Sequence, residues 1–171
     1  MVLIGFMGSG KTTVGREVAK QLGWGFVDMD RRIEERLGLT IREIFDTRGE
    51  AGFRAEERQV ARELLGLQDH VVAAGGGAFA FPETRELLRQ GALTVWLRCG
   101  FETVLARISP GPGIRPLAEN RETMLELFAR RESSYRLADR TVDAGRAPDV
   151  VARQVAGIVR HGARRPTSGT T

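Results

Sequence analysis

Cysteine is nearly absent from this 171-residue chain: Cys99 stands alone, so no internal disulfide can form. Histidine is almost as scarce, and His70 and His161 are too few for a His-rich metal site. No apolar run reaches the roughly 20 residues that a membrane-spanning helix requires, and no cleavable signal pattern opens the chain. A soluble, cytoplasmic protein without a membrane partner is expected. Aromatic residues make up only 6%, which leaves little material for a base-stacking platform and argues against a nucleic-acid partner. Lysine occurs twice, as Lys11 and Lys20, and arginine supplies the rest of the basic charge. The 26 basic residues face 22 acidic ones and interleave with them, as in Arg31-Arg32-Ile33-Glu34-Glu35-Arg36. A net charge of +4 so distributed marks solvated helix faces, not a polyanion site.

What remains is the composition of a folded domain. Hydrophobic residues at 42% and charged residues at 28% exclude wholesale disorder. A chain of this length buries roughly 70% of its unfolded surface and needs no staple. A single domain over 1–161 is expected, followed by a small, polar, basic and disordered tail over 162–171.

Short apolar runs alternate with helical patterns along the chain. Strands are expected at Val2–Ile4, Gly25–Val27, Val71–Ala74, Leu93–Leu97 and, weakly, Thr141–Val142. Val2–Ile4 is minimal for a central strand: either the strand is short or the chain begins upstream. Helices are expected at Lys11–Leu22, from the Thr40–Glu43 capping-box spacing through Phe45, over Ala51–Leu65, after Pro82, and over Val150–Val159. This alternation predicts an α/β fold with a mostly parallel sheet and helices on both faces.

Gly5-Phe6-Met7-Gly8-Ser9-Gly10-Lys11-Thr12 fits the pattern G-x-x-x-x-G-K-[ST] between a strand and a helix, the context of a P-loop. Background frequencies give such a match by chance in about one percent of chains this long. The backbone of Gly8, Ser9 and Gly10 would cradle phosphates at a helix N-terminus. Lys11 would reach the β- and γ-phosphates, the Thr12 hydroxyl would hold Mg²⁺, and Thr13 would add an ATP contact. Guanine recognition by Asn-Lys-x-Asp is excluded, because the one asparagine, Asn120, precedes Arg121. A small-molecule kinase fits best.

Asp28-Met29-Asp30 closes the second strand, where strand ends face the ligand crevice of an open α/β sheet. Alternation points the two carboxylates to the same side. One could orient Mg²⁺ waters while the other meets an acceptor hydroxyl; equally, both could simply cap the helix that starts near Arg31.

Taken together, Gly-Phe-Met-Gly-Ser-Gly-Lys-Thr (5–12), Phe-Val-Asp-Met-Asp (26–30), Gly-Glu-x-x-Phe-Arg-x-x-Glu (49–57), Gly-Gly-Gly-Ala (75–78), Arg-Pro-Leu (115–117) and Arg-x-x-x-Tyr (131–135) resemble the shikimate kinases from Val2 to about Arg160. The resemblance implies the P-loop kinase fold with a five-stranded parallel sheet and a mobile lid. It implies ATP-dependent phosphorylation of the shikimate 3-hydroxyl by a monomer. Asp30 is then the residue that binds shikimate hydroxyls and orients or deprotonates the attacking one, and Asp28 is the second-shell Mg²⁺ partner. Arg54 and Arg131 clamp the substrate carboxylate, with Glu57 holding Arg54, and Gly76 is the substrate contact in the glycine turn. Arg115 belongs to the lid over Ser109 to Glu119, which holds two prolines and two glycines before it. Arg146 and Pro148 flank the adenine, with Arg107 a lesser candidate for stacking there. The readings set against this one are a gluconate-type P-loop kinase, a catalytically silent binding module and a nucleic-acid-binding ATPase.

Overall fold

The computed structural model describes residues 1–108 and 121–162. Its strands are β1 (Val2–Ile4), β2 (Gly25–Asp28), β3 (His70–Ala73), β4 (Thr94–Arg98) and β5 (Arg140–Asp143), arranged in the order β2-β3-β1-β4-β5. Every pairing is parallel, because each strand returns to the same end of the sheet through a helical connection. β1 lies at the centre, with Val2 opposite Val72 on one side and Thr94 on the other. Three residues suffice there: Val2, Leu3 and Ile4 are at most 1% exposed, and each buried aliphatic side chain contributes roughly 1.5–3 kcal/mol.

The helices among the described residues are α1 (Lys11–Leu22), α2 (Met29–Leu37), α3 (Ile41–Leu65), α4 (Pro82–Gly91), α5 (Phe101–Ile108), α6 (Arg121–Tyr135) and α7 (Pro148–Arg160). They flank the sheet, α1 packing on α7 and α3 on α2 and α4. The local signals work as expected. Gly23 ends α1 in the left-handed conformation, and Thr40 and Glu43 form a reciprocal capping box at the start of α3. The interleaved charges lie on the surface as pairs such as Arg31–Glu35, which contribute little singly.

The helix from Thr40 and the helix over Ala51–Leu65 are both present, as two helical stretches of α3 that meet at a kink at Gly49, where φ is 65° and ψ −179°. One expectation needs correction. Asp30 does not close β2. The strand ends at Asp28, whose side chain caps α2, and the chain turns into helix at once. The two carboxylates are therefore related by a helix turn and not by strand alternation. Finally, α5 and α6 were not legible in the apolar pattern; α6 buries only Met124 and Tyr135. The lid over Ser109 to Glu119, with Arg115, and all but Gly162 of the expected tail lie outside the described residues.

The backbone angles of Gly49 fall in a region open essentially to glycine alone, and nothing stands within 4 Å of where a Cβ would be. Gly49→Ala therefore adds backbone strain without a clash. Urea titration should show a loss of about 1–3 kcal/mol; unchanged stability would refute a strained turn at this position.

Candidate active site

The loop from Gly5 to Gly10 leads from β1 into α1 at the carboxyl end of the sheet. Gly10 caps α1 with φ of 93° and no side-chain acceptor, so the first N–H groups of the helix face an anion site. Gly8 has φ of 73°, and a Cβ there would stand 2.8 Å from Ile108 Cγ1, so a side chain is excluded twice over. The Lys11 ammonium lies over this cradle, donating to the carbonyls of Gly5 at 2.9 Å and Phe6 at 3.0 Å. Ser9 is buried; its N–H donates to the Phe6 carbonyl at 3.2 Å, and its hydroxyl has no partner among the described residues. Thr12 and Thr13 are exposed on the first turn of α1.

Asp28 divides its carboxylate. Oδ1 accepts from the backbone N–H groups of Asp30 (3.2 Å) and Arg31 (3.4 Å), and Oδ2 accepts from the Thr12 hydroxyl at 2.7 Å. The cap and the P-loop contact are made by one side chain. Asp30 follows in the first turn of α2, half-buried against the glycine turn after β3. A Cβ at Gly75 would lie 2.6 Å from Asp30 Oδ1 and 3.1 Å from Glu57 Oε1. Burial pushes the Asp30 carboxyl above its usual range; Asp28 and Glu34 add to the shift, while Lys11 and Arg54 oppose it. A half-buried carboxylate with a raised pKa thus stands close to Lys11 and the phosphate cradle.

Arg54 and Glu57, three residues apart on α3, form an ion pair that is almost wholly buried. Arg54 Nη1 donates to both Glu57 oxygens, at 3.0 and 2.9 Å, and Nη2 donates to Glu50 at 3.2 Å. The guanidinium is sandwiched, its carbon 4.1 Å from the centre of the Phe81 ring and 4.9 Å from that of Phe53. Burial raises the Glu57 pKa even against the pull of Arg54. From α6, Arg131 donates to the Gly76 carbonyl at 3.2 Å. Both guanidinium groups converge on the glycine turn: a Cβ at Gly77 would stand 2.8 Å from Arg54 Nη2 and 3.2 Å from Arg131 Nη2. Two planar donors on one bare stretch of backbone suit a carboxylate.

The structure thus brings Lys11, Thr12, Asp28, Asp30, Arg54, Gly76 and Arg131 to one end of the sheet. Arg146 stands apart, exposed and 3.9 Å from Asp143. Arg107, ranked lower in sequence, is anchored more firmly: it donates to the carbonyls of Ala144 (2.9 Å) and Ser9 (3.5 Å). It joins the P-loop to the loop ahead of α7, and partners 98 and 37 residues away leave no local trace in sequence. Glu50 was also overlooked, although its spacing of four from Arg54 on a helix is a readable signal. Cys99 is buried as expected, and burial raises its thiol pKa. Among the described residues no group of three or more His, Cys, Asp or Glu side chains could hold a metal.

Comparison with known proteins agrees with this geometry. The family model described as shikimate kinase matches residues 7–160. A shikimate kinase of Moorella thermoacetica is 44% identical over 158 residues, 91% of each chain. The solved structure of a shikimate kinase from Acinetobacter baumannii in complex with shikimate superposes with a TM-score of 0.88 at 34% identity, covering 96% of this chain and 94% of that one. A gluconokinase from Sinorhizobium meliloti shares the fold alone, with a TM-score of 0.61 at 20% identity over 94% of this chain and 91% of that one.

The glycine turn yields a direct test. Gly77→Ala places a methyl group against both guanidinium groups, whose flexible ends must move apart. Binding of a carboxylate-bearing ligand, followed by calorimetry, should weaken while nucleotide affinity stays within twofold. Equal ligand affinity in the variant would mean that the two arginines do not meet a ligand across this turn.

Proposed function

The chain belongs to the shikimate kinase family, and on that premise we propose that its site transfers the γ-phosphoryl group of ATP to the 3-hydroxyl of shikimate, giving shikimate 3-phosphate and ADP. The observation that carries this reading is the pair of arginines, Arg54 and Arg131, meeting across Gly77 beside the half-buried carboxylate of Asp30 and the P-loop. A gluconate-type kinase shares only the fold, and the whole constellation from Lys11 to Arg131 argues against a silent binding module.

Each residue then has a chemical task. Arg54 and Arg131 fork onto the shikimate carboxylate, and Glu57, which cannot leave its buried position, holds Arg54 in place. Gly76 and its neighbours keep the backbone bare so that the ring can approach closely. Asp30 accepts the proton of the 3-hydroxyl as that oxygen bonds to the γ-phosphorus. The bond from the γ-phosphorus to the bridging oxygen breaks, and ADP departs with the negative charge. Lys11 and the backbone of Gly8, Ser9 and Gly10 stabilise charge spread over the phosphates. We assign to Arg115 the same task from the lid side, and to Thr13, Arg146 and Pro148, with Arg107, the rest of the nucleotide.

Magnesium fits the donor set. Thr12 and Asp28 present hard oxygens 2.7 Å apart, and among the described residues no all-protein cage competes. Mg²⁺ favours such a site, keeping several waters and completing its shell with phosphate oxygens. Thr12 would hold the ion and Asp28 would orient its waters. When bound, it neutralises charge on the transferring phosphoryl group.

We further place the protein in the cytoplasm as a monomer with one domain over 1–161 and no nucleic-acid partner. In support, no described helix is long and apolar enough to cross a membrane. Among the described residues the large exposed apolar side chains are Phe45 on α3, Leu125 on α6, and Leu67 and Leu137 in loops, well separated along the chain.

An assay of ADP release with shikimate, gluconate and no acceptor tests the reaction. Release should depend on shikimate, and equal or faster turnover with gluconate would overturn the assignment. Asp30→Asn should cut turnover by roughly 10²–10⁴ with ATP affinity unchanged. The pH profile supplies a second check. Asp30 acts as a carboxylate, and its raised pKa means that protonation removes the base at a higher pH than for an ordinary aspartate. The acid limb of kcat/KM for shikimate should therefore lie above 3.8, the usual aspartate value, and disappear in the variant. An acid limb that persists in Asp30→Asn would assign the base elsewhere.

A further inference from the structure

Beside the site, the mechanism leaves a buried titratable group without a task. Tyr135 is the only tyrosine in the chain, the last residue of α6, and 2% exposed. It follows Arg131 by four residues, so both side chains leave the same face of the helix. Its hydroxyl donates to the Gly76 carbonyl at 2.5 Å, and that carbonyl also accepts from Arg131 Nη1 at 3.2 Å. Phenol and guanidinium thus meet on one acceptor, and the three groups form a triangle at the middle glycine of the turn. Trp96 packs against the phenol ring, their centroids 5.9 Å apart, and keeps it from swinging away.

This triangle stands where the turn has least conformation of its own. Three successive glycines have no side chains to fix their dihedral angles. Gly76 also lies against the P-loop, since a Cβ there would be 3.3 Å from the Met7 nitrogen. The Gly76 carbonyl is therefore the point at which α6, the glycine turn and the P-loop meet. A carbonyl with two donors is held more firmly than one with Arg131 alone. Without the phenol, the guanidinium would be the sole donor left to this oxygen and would be drawn onto it, away from any ligand.

We propose that Tyr135 is a positioning residue for the acceptor clamp: by donating to the same Gly76 carbonyl as Arg131 it sets where the Arg131 guanidinium meets the acceptor carboxylate. The inference rests on the assignment of Arg131 to that carboxylate. Burial pushes the Tyr135 pKa up to about 12, so the phenol stays a donor across the working range of the enzyme.

The test is a double-mutant cycle on the full chain. Tyr135→Phe should raise the KM for shikimate roughly 5- to 30-fold, the range of one lost hydrogen bond to a charged network, with the KM for ATP within twofold. In an Arg131→Lys background the same change should add less than twofold, because the group through which Tyr135 acts is already altered. Equal factors in both backgrounds, or no change in either, would overturn the proposal. If Arg131→Lys alone leaves shikimate affinity unchanged, the clamp assignment fails, and that outcome is separate from the first. Should Tyr135→Phe fold poorly, growth on 3-fluorotyrosine labels the wild-type chain at this one position. Its single ¹⁹F resonance should shift on titration with shikimate and stay fixed with ADP alone. A resonance that ignores shikimate would mark Tyr135 as packing only.

Discussion

One carboxylate joins the two halves of this molecule. Asp28 ends β2, caps α2 with Oδ1 and reaches Thr12 on α1 with Oδ2. An N-cap is worth only about 1 kcal/mol. Its consequence is geometric. With β2 passing into α2 without a loop, the cap fixes the first turn of α2, and with it Asp30. The bond to Thr12 fixes that turn against the phosphate cradle. Lys11 and Asp30 thereby sit within electrostatic reach of each other, as the influence of Lys11 on the Asp30 carboxyl shows. Capping and a place at the P-loop looked like competing readings of Asp28, and in the structure they are two oxygens of one group.

The acceptor side is built on a different constraint, the burial of charge. Removing a carboxylate and a guanidinium from water costs several kcal/mol per ion, and their mutual attraction offsets this only with good geometry. Arg54 and Glu57 have that geometry, a two-oxygen contact closed between the rings of Phe53 and Phe81. Even so, Arg54 Nε is buried without a partner. As a stability device the pair is poor, since apolar residues of similar volume do as well in such places. It makes sense as a means of holding one guanidinium still at the edge of a site.

Much of this was legible in sequence, for identifiable reasons. The P-loop has four fixed positions and a required strand-helix context, so it reads from one chain. Strands at the centre of the sheet read as short apolar runs because both faces are covered. What failed was legible only in three dimensions. α6 escaped because it buries two residues, Met124 and Tyr135, and so shows almost no apolar period. Arg107 was undervalued because its partners are distant in sequence. Gly76 was singled out from a run of three glycines, but the division of labour within the run needs coordinates. Gly75 makes room for Asp30 and Glu57, Gly76 offers its carbonyl to α6, and Gly77 faces the guanidinium groups.

Charge at the glycine turn explains why these parts form a site and not merely a folded corner. Two guanidinium groups approach the same backbone, and each disfavours the other: Arg54 and burial together lower the pKa of Arg131, burial most strongly. The fully buried anion beside them is Glu57, both of whose oxygens are taken by Arg54 Nη1. Glu50 meets Arg54 from the solvent side, with 60% of its side chain exposed. Asp30 faces the P-loop end, where Lys11 competes for it. Arg131 leans on a neutral acceptor, the Gly76 carbonyl. Of the two guanidinium groups it is therefore the one whose charge no bonded carboxylate matches among the described residues. On the proposed reading, a carboxylate entering there would relieve repulsion between the arginines as well as add its own bonds.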